Sequence, residues 1–356
     1  MKSVFQAAHE FCWRFGLRVP VLLAPMAGAS APSLSIAVAQ AGGLGACGAL
    51  LMKPDEIVAW AEEVRRGTDG PFQINLWIPD PPPHRDPEHE ARVREFLAKW
   101  GPAVSAEAGD ATPPDFAAQC EALLAVAPPI VSSVMGLYPA EFVARLKQRG
   151  IAWCANVTTV AEARAAEKAG ADIIAVQGME AGGHRGCFDA AKAEREMVGL
   201  FALLPAVVDA VKLPVIATGG IGDGRGVAAA FVLGASAVQI GTAFLVCPEA
   251  QISPAWAKAL AAAAPEDTIV TRAFSGRAGR GLATEYVRAA MSPDAPPPAP
   301  YPVQRGLTSA MRAEAQRSGD VQRMQAWAGQ SAGMAKAEPA GDVVRRVWDE
   351  AQAILA

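Results

Sequence analysis

Short apolar runs alternate with amphipathic stretches from the start of the chain to about residue 245. PVLLAPM (20–26), LGACGALL (44–51), FQINLWI (72–78) and IVSSVM (130–135) are mostly apolar and brief, as strands buried on both faces are. Between the first three lie helical patterns: SLSIAVAQAG (33–42), which ends on glycine, and the charged PDEIVAWAEEVRRG (54–67). PDPPPHRDP then breaks the rhythm and opens a proline-rich excursion over 79–127 of irregular helical character. AEFVARLKQRG (140–150) restores it. IAWCANV, TVAEARAAEKAG, DIIAVQG, VGLFALLPAVVDAVK, PVIATGG, GRGVAAAFVLG and AVQIGTAF follow in regular order.

Eight strand–helix units predict parallel pairing and an α/β fold closed into a (β/α)8 TIM barrel. The competitor is an open doubly wound sheet, which usually carries its glycine fingerprint after the first strand. Here the glycine turns come late, after strands six, seven and eight, on the side where a barrel typically holds phosphate. The predicted organisation is a barrel over 1–245, with the excursion at 79–127, and a smaller, mainly helical region over 246–356 that packs over the barrel mouth and caps the substrate.

Composition narrows the class of function. With 51% hydrophobic residues the chain has core enough for one large barrel. The net charge is −4 and the basic residues are scattered, so nucleic acid is not an expected partner. Cysteines 12, 47, 120, 154, 187 and 247 form no CxxC pair and no metal-ligand spacing with histidines 9, 84, 89 and 184. They read as reduced thiols, and no metal is expected. MKSVFQAAHEFCWRFGL carries charges where a signal peptide would be apolar, and no window is long enough to span a bilayer. A cytoplasmic protein is expected, without a membrane partner, as a monomer or homodimer.

A barrel's chemistry sits at the carboxyl ends of its strands. Those ends are Pro25-Met26, Cys47, Asn75, Ser132-Ser133, Asn156, Gln177, Thr218-Gly219-Gly220 and Gly241-Thr242. None is lysine, against Schiff-base chemistry. No Asp/Glu/His cluster suits a metal hydrolase, and no carboxylate pair suits glycoside cleavage. Small and neutral residues of this kind suit a large flat polar ring. ATGGIGDGRG and QIGTAF place glycines at adjacent late strand ends, where backbone N–H groups can meet a phosphate; tight βα turns with no ligand are the plainer reading. His184 stands in the glycine turn of DIIAVQGMEAGGHRG (172–186) and has no rival acid or base at the other strand ends. Gln177, Asn75 and Asn156 offer amides that serve either a ligand or neighbouring backbone.

APMAGAS (24–30), QAGGLGACGAL (40–50), QGMEAGGHRG (177–186), PVIATGGIGDGRGVAAA (214–230) and VQIGTAFLVCPEA (238–250) together resemble the nitronate monooxygenases, formerly called 2-nitropropane dioxygenases. FSGRAGRGL (274–282), LTSAMRAEAQRSGD (307–320) and WAGQ (327–330) are similar to the class I branch of that family. The resemblance implies non-covalent FMN at the barrel mouth. Pro25, Met26 and Ala27 would pass beside the ring, Asn75 and Gln177 would hydrogen-bond it or its ribityl chain, and Gly182 and Gly183 would let the loop approach. Gly219, Gly220, Gly241 and Thr242 would hold the phosphate. His184 would be catalytic, with Ser133, Tyr301 and Arg305 near the substrate.

The implied reaction is oxidation of alkyl nitronates, such as propionate 3-nitronate, or of nitroalkanes with O2, giving a carbonyl compound and nitrite. In it a protonated His184 would stabilise the nitronate charge, or a neutral one would take the α-proton of a nitroalkane. FMN-dependent NAD(P)H reduction of quinones or enoyl thioesters, by enzymes that share similar motifs, is the alternative. The chain departs from the resemblance at SSVMG (132–136), where an aromatic-containing segment is common, and after Tyr301, where Arg305 and Ser309 replace a tyrosine and a lysine.

Overall fold

The computed structural model describes residues 4–356. In chain order its strands are β1 (Val21–Leu23), β2 (Gly45–Gly48), β3 (Phe72–Trp77), β4 (Ile130–Val134), β5 (Ala152–Val157), β6 (Ile173–Gln177), β7 (Gly183–His184), β8 (Val215–Thr218), β9 (Ala237–Ile240), β10 (Thr268–Thr271) and β11 (Gly279–Leu282). Eight of them form one parallel sheet in the order β1-β9-β8-β6-β5-β4-β3-β2. A parallel bridge between Leu22 and Leu44 joins the two ends, and Leu23 N–H donates to Leu44 C=O at 2.9 Å. The sheet is thereby closed, the TIM barrel the apolar runs predict. All eight predicted strands are found. The first and last are shorter than their apolar runs, because residues 24–26 leave the sheet and Thr242–Leu245 turns into a short helix.

The lower interior is apolar and sealed. Leu22, Leu44, Ile130, Cys154, Ile173 and Ile216 pack from the strands onto Phe11, Cys12 and Phe15 of the helix Gln6–Phe15. That helix stops where Gly16 adopts φ +67°, a conformation glycine reaches without Cβ strain. Above this floor Gln73 Nε2 donates to Gln239 Oε1 at 2.9 Å, which satisfies two buried amides across the barrel.

The region after 245, expected to be mainly helical, carries five α-helices, but more than half of it is irregular segments and strand, including β10 and β11. Sequence alone reads FSGRAGRG as turns. Here Gly279–Leu282 pairs antiparallel with Thr268–Thr271 on one side and with Gly183–His184 on the other. The excursion helix Pro87–Leu97 contributes Val93 and Leu97 to a core with Phe274, Tyr286, Val303 and Met311 of the tail. The last helix, Ala340–Leu355, returns to the barrel flank, where Glu350 accepts from Gly224 N–H at 2.9 Å. No helix among the described residues is long and apolar enough to cross a membrane.

Candidate active site

A cavity of about 380 Å³ opens at the carboxyl ends of the barrel strands. Pro25, Met26, Ala27, Asn75, Gln177, Gly182, Gly183, His184, Gly219, Gly220, Gly241, Thr242 and Arg305, all picked out from sequence, line it. Ser133 and Tyr301 do not. Ser133 is fully buried on the outer side of β4, where its hydroxyl accepts from Trp153 Nε1 at 3.0 Å and donates to Gly136 C=O at 3.1 Å. The adjacent Ser132 faces the cavity instead, since successive side chains alternate across the sheet. Tyr301 lies stacked against Trp77, with ring centroids 4.9 Å apart and planes at 12°, and its hydroxyl is buried without a partner.

On one wall the backbone is bare. Gly219 and Gly220 take φ +114° and +71°, a turn that only glycines make without strain. The N–H groups of Gly219, Gly220 and Gly241 have no acceptor among the described residues. Three unpaired donors on neighbouring strand ends are a cradle for an anion. Asn156 adds a buried Nδ2 with no partner, also on the cavity wall. Thr242 Oγ1 accepts from Gly329 N–H at 3.0 Å and ties the tail's WAGQ segment to this corner.

The cavity wall also carries His184. Gln177 holds its loop: Oε1 accepts from Gly186 N–H at 2.7 Å and Nε2 donates to His184 C=O at 3.0 Å. The amide is thus largely engaged with local backbone, which leaves one N–H for a ligand. Buried Arg185 reinforces the loop by donating to Gln177 C=O at 2.7 Å. Trp77 and Trp327 set their rings edge-on to the imidazole, 4.8 and 5.0 Å between centroids. The half-buried ring is pushed down to about 3, first by burial and then by the charges of Arg305 and Arg277. Imidazole is therefore neutral at physiological pH. The protonated His184 expected as one of two possibilities is disfavoured by this burial and by the arginines, and the cations on the cavity wall are Arg305 and Arg312.

Arg305 and Arg312 both line the cavity. Arg312 is held by Thr308 Oγ1, Gln325 Oε1 and Arg305 C=O at 3.1, 3.2 and 2.8 Å. Burial first, and Arg305 second, push its guanidinium down to about 10. The Arg305 guanidinium has no hydrogen-bond or carboxylate partner among the described residues, and burial lowers its affinity for its proton. No aspartate or glutamate among the described residues lines the cavity. Uncompensated positive charge in a half-closed space attracts an anion. Sequence reading missed Arg312, Trp256 and Trp327, since nothing in the tail's own pattern shows which of its residues reach the barrel mouth. Cys187 is a bystander: it is buried, its thiol is raised by burial, and Sγ points to the Asp189 carbonyl at 3.3 Å.

Residues 10–350 match the family described as nitronate monooxygenase. A nitronate monooxygenase of Paraburkholderia phytofirmans is 40% identical over 347 residues, covering 94% of this chain and 93% of that one. A probable nitronate monooxygenase of Staphylococcus aureus is 34% identical, covering 95% and 96%. Among solved structures, nitroalkane oxidase from Streptomyces ansochromogenes is similar with a TM-score of 0.88 and 36% identity, covering 97% of this chain and 100% of that one. FabK from Thermotoga maritima is similar with a TM-score of 0.76 and 29% identity, covering 97% and 96%.

Proposed function

The chain belongs to the nitronate monooxygenase family, and we propose that it uses FMN and O2 to oxidise alkyl nitronates or nitroalkanes to a carbonyl compound and nitrite. As a member of that family it is a flavin-dependent oxidoreductase. The observation that carries the substrate reading is the charge of the cavity: two arginines, a neutral imidazole and no carboxylate. That lining favours a small anion, and a nitronate is one.

The residues present fit FMN. The unpaired N–H groups of Gly219, Gly220 and Gly241, with the Thr242 corner, would hold its phosphate. Pro25, Met26, Ala27, Gly182 and Gly183 would lie along the ring system, and the amides of Asn75, Asn156 and Gln177 have hydrogen-bonding capacity left for it. Bound FMN would supply the redox chemistry between substrate and O2.

The chain's own residues then do three things. Arg305, with Arg312 behind it, draws in the nitronate oxygens and stabilises their charge. Neutral His184 accepts the α-proton when the substrate arrives as the nitroalkane: the C–H bond breaks, an N–H bond forms, and the electron pair stays on the nitronate. Trp77 and Trp327, edge-on to the ring, would keep the imidazole plane fixed.

Anaerobic mixing of the purified protein with propionate 3-nitronate and, separately, with NADH tests this reading. The flavin spectrum is expected to change with the nitronate alone, and nitrite to appear once air is admitted. Rapid bleaching by NADH with no response to nitronate would overturn it in favour of a reductase.

A further inference from the structure

The hydroxyl of Ser275, 91 residues from His184 in sequence, lies 2.8 Å from His184 Nε2. Ser275 is buried, in the turn between β10 and β11. The register between β11 and β7, with Gly279 opposite His184, brings the two residues together. The same hydroxyl lies 3.2 Å from Arg277 C=O, to which it can donate, and 3.3 Å from Arg277 N–H, from which it accepts.

A serine hydroxyl has one hydrogen and two lone pairs. Its hydrogen has two claimants, His184 Nε2 and Arg277 C=O. The Arg277 carbonyl belongs to a residue 2% exposed and has no other donor among the described residues. Turning the hydrogen to the imidazole would strand that carbonyl, at a cost of about 1–3 kcal/mol. Giving it to the carbonyl leaves a lone pair for Nε2–H, and the Ser275 hydroxyl, the Arg277 carbonyl and Nε2 are then all paired. His184 Nδ1 has no partner among the described residues and keeps some exposure.

We propose that Ser275 is a positioning residue that holds His184 as the Nε2–H tautomer, so that Nδ1 is the atom that takes the substrate proton. This rests on the reading of His184 as the base for neutral nitroalkanes. Fixing a tautomer through the far nitrogen is how a neutral imidazole is kept ready for proton transfer.

The test uses the whole protein with ring-¹⁵N histidine. Its four histidines give few signals, and His184→Asn identifies the one that matters. Long-range ¹⁵N–¹H spectra of the wild type at neutral pH are expected to show Nε2 protonated and Nδ1 bare. In Ser275→Ala both nitrogens are expected to move towards averaged positions, while Ser275→Thr restores the wild-type pattern. Ser275→Ala should turn over a neutral nitroalkane roughly tenfold or more slowly and a preformed nitronate at a nearly unchanged rate. A protonated Nδ1 in the wild type overturns the proposal even if Ser275→Ala fails to fold, and so does a Ser275→Ala spectrum identical to wild type. Absence of activity on both substrates in the wild type would sink the functional reading, while the spectra still decide the tautomer.

Discussion

Gln177 and His184 are tied by a hydrogen bond of 3.0 Å from the Gln177 side-chain amide to the His184 backbone carbonyl. The glutamine closes the other side of the loop through Gly186 N–H. One side chain at the end of β6 thus sets where the imidazole stands. Gln177→Glu keeps the shape and the acceptor but cannot, when ionised, donate to the carbonyl. It is expected to lower stability by about 1–3 kcal/mol. Turnover should drop with it, because the imidazole loses its anchor. Denaturant melts and steady-state rates check both; an unchanged rate with the stability loss intact would show that the loop holds its position without the amide.

Arg305 is the cavity's uncommitted cation. Arg305→Met should raise KM for an anionic nitronate by roughly 10–100-fold, the worth of a charge-assisted hydrogen bond. The effect on a neutral nitroalkane should be markedly smaller. Equal effects on both substrates would show that Arg305 does not discriminate by charge. Its removal should also raise the His184 pKa, since its charge is the second cause of the depression.

The imidazole's shift gives a pH signature with a definite sign. Unfolded, His184 takes a proton below about 6.5; folded, it resists down to about 3. Between those values the unfolded chain binds the extra proton, so this residue makes stability rise with pH and fall as the solution is acidified. Melts across that range should show a shallower pH slope in His184→Gln. For turnover of a neutral nitroalkane, no inflection belonging to His184 is expected from about pH 5 to about pH 9. An inflection near 6.5 that vanishes in His184→Gln would contradict the half-buried, neutral imidazole.

Two neighbouring glycines should respond differently to the same change. A Cβ on Gly182 would stand 2.5 Å from Gly329 N and 2.7 Å from Ala328 C, both backbone. A Cβ on Gly183 meets nothing within 4 Å, although φ is +77°. Gly182→Ala should therefore cost about 1–3 kcal/mol and displace the WAGQ segment. Gly183→Ala should cost about 1 kcal/mol, from backbone strain alone. Thermal melts and flavin content after purification separate the two, and a larger loss for Gly183→Ala would contradict the contact.

The barrel was legible because its strands are the only short runs apolar on both faces, and their helices keep the longer period between them. The same two-sided burial hid which residues face inward. In IVSSVM nothing polar marks a face, so Ser132 and Ser133 look alike, and only the pleat separates the cavity residue from the one bonded to Trp153. Glycine turns at β6, β8 and β9 could be read because glycine has few reasons to stand at a strand end. The pairing of β7 with β11 could not, for two residues of strand in a glycine loop carry no periodic signal. Arg312 and Trp327 owe their place at the mouth to packing of a tail whose local pattern is merely helical or irregular. Tyr301, an obvious aromatic in sequence, stacks on Trp77 and does not line the cavity.

The helix Gln6–Phe15 acts as a stopper in the barrel's base. Phe11, Phe15 and the aliphatic residues above them leave no drain in that direction. On the proposed reaction, substrate and products would pass the cavity mouth beside the arginines, where a small departing anion such as nitrite would compete with the incoming one. Inhibition by accumulated nitrite that yields to higher nitronate is the kinetic shape of a vessel open at one end.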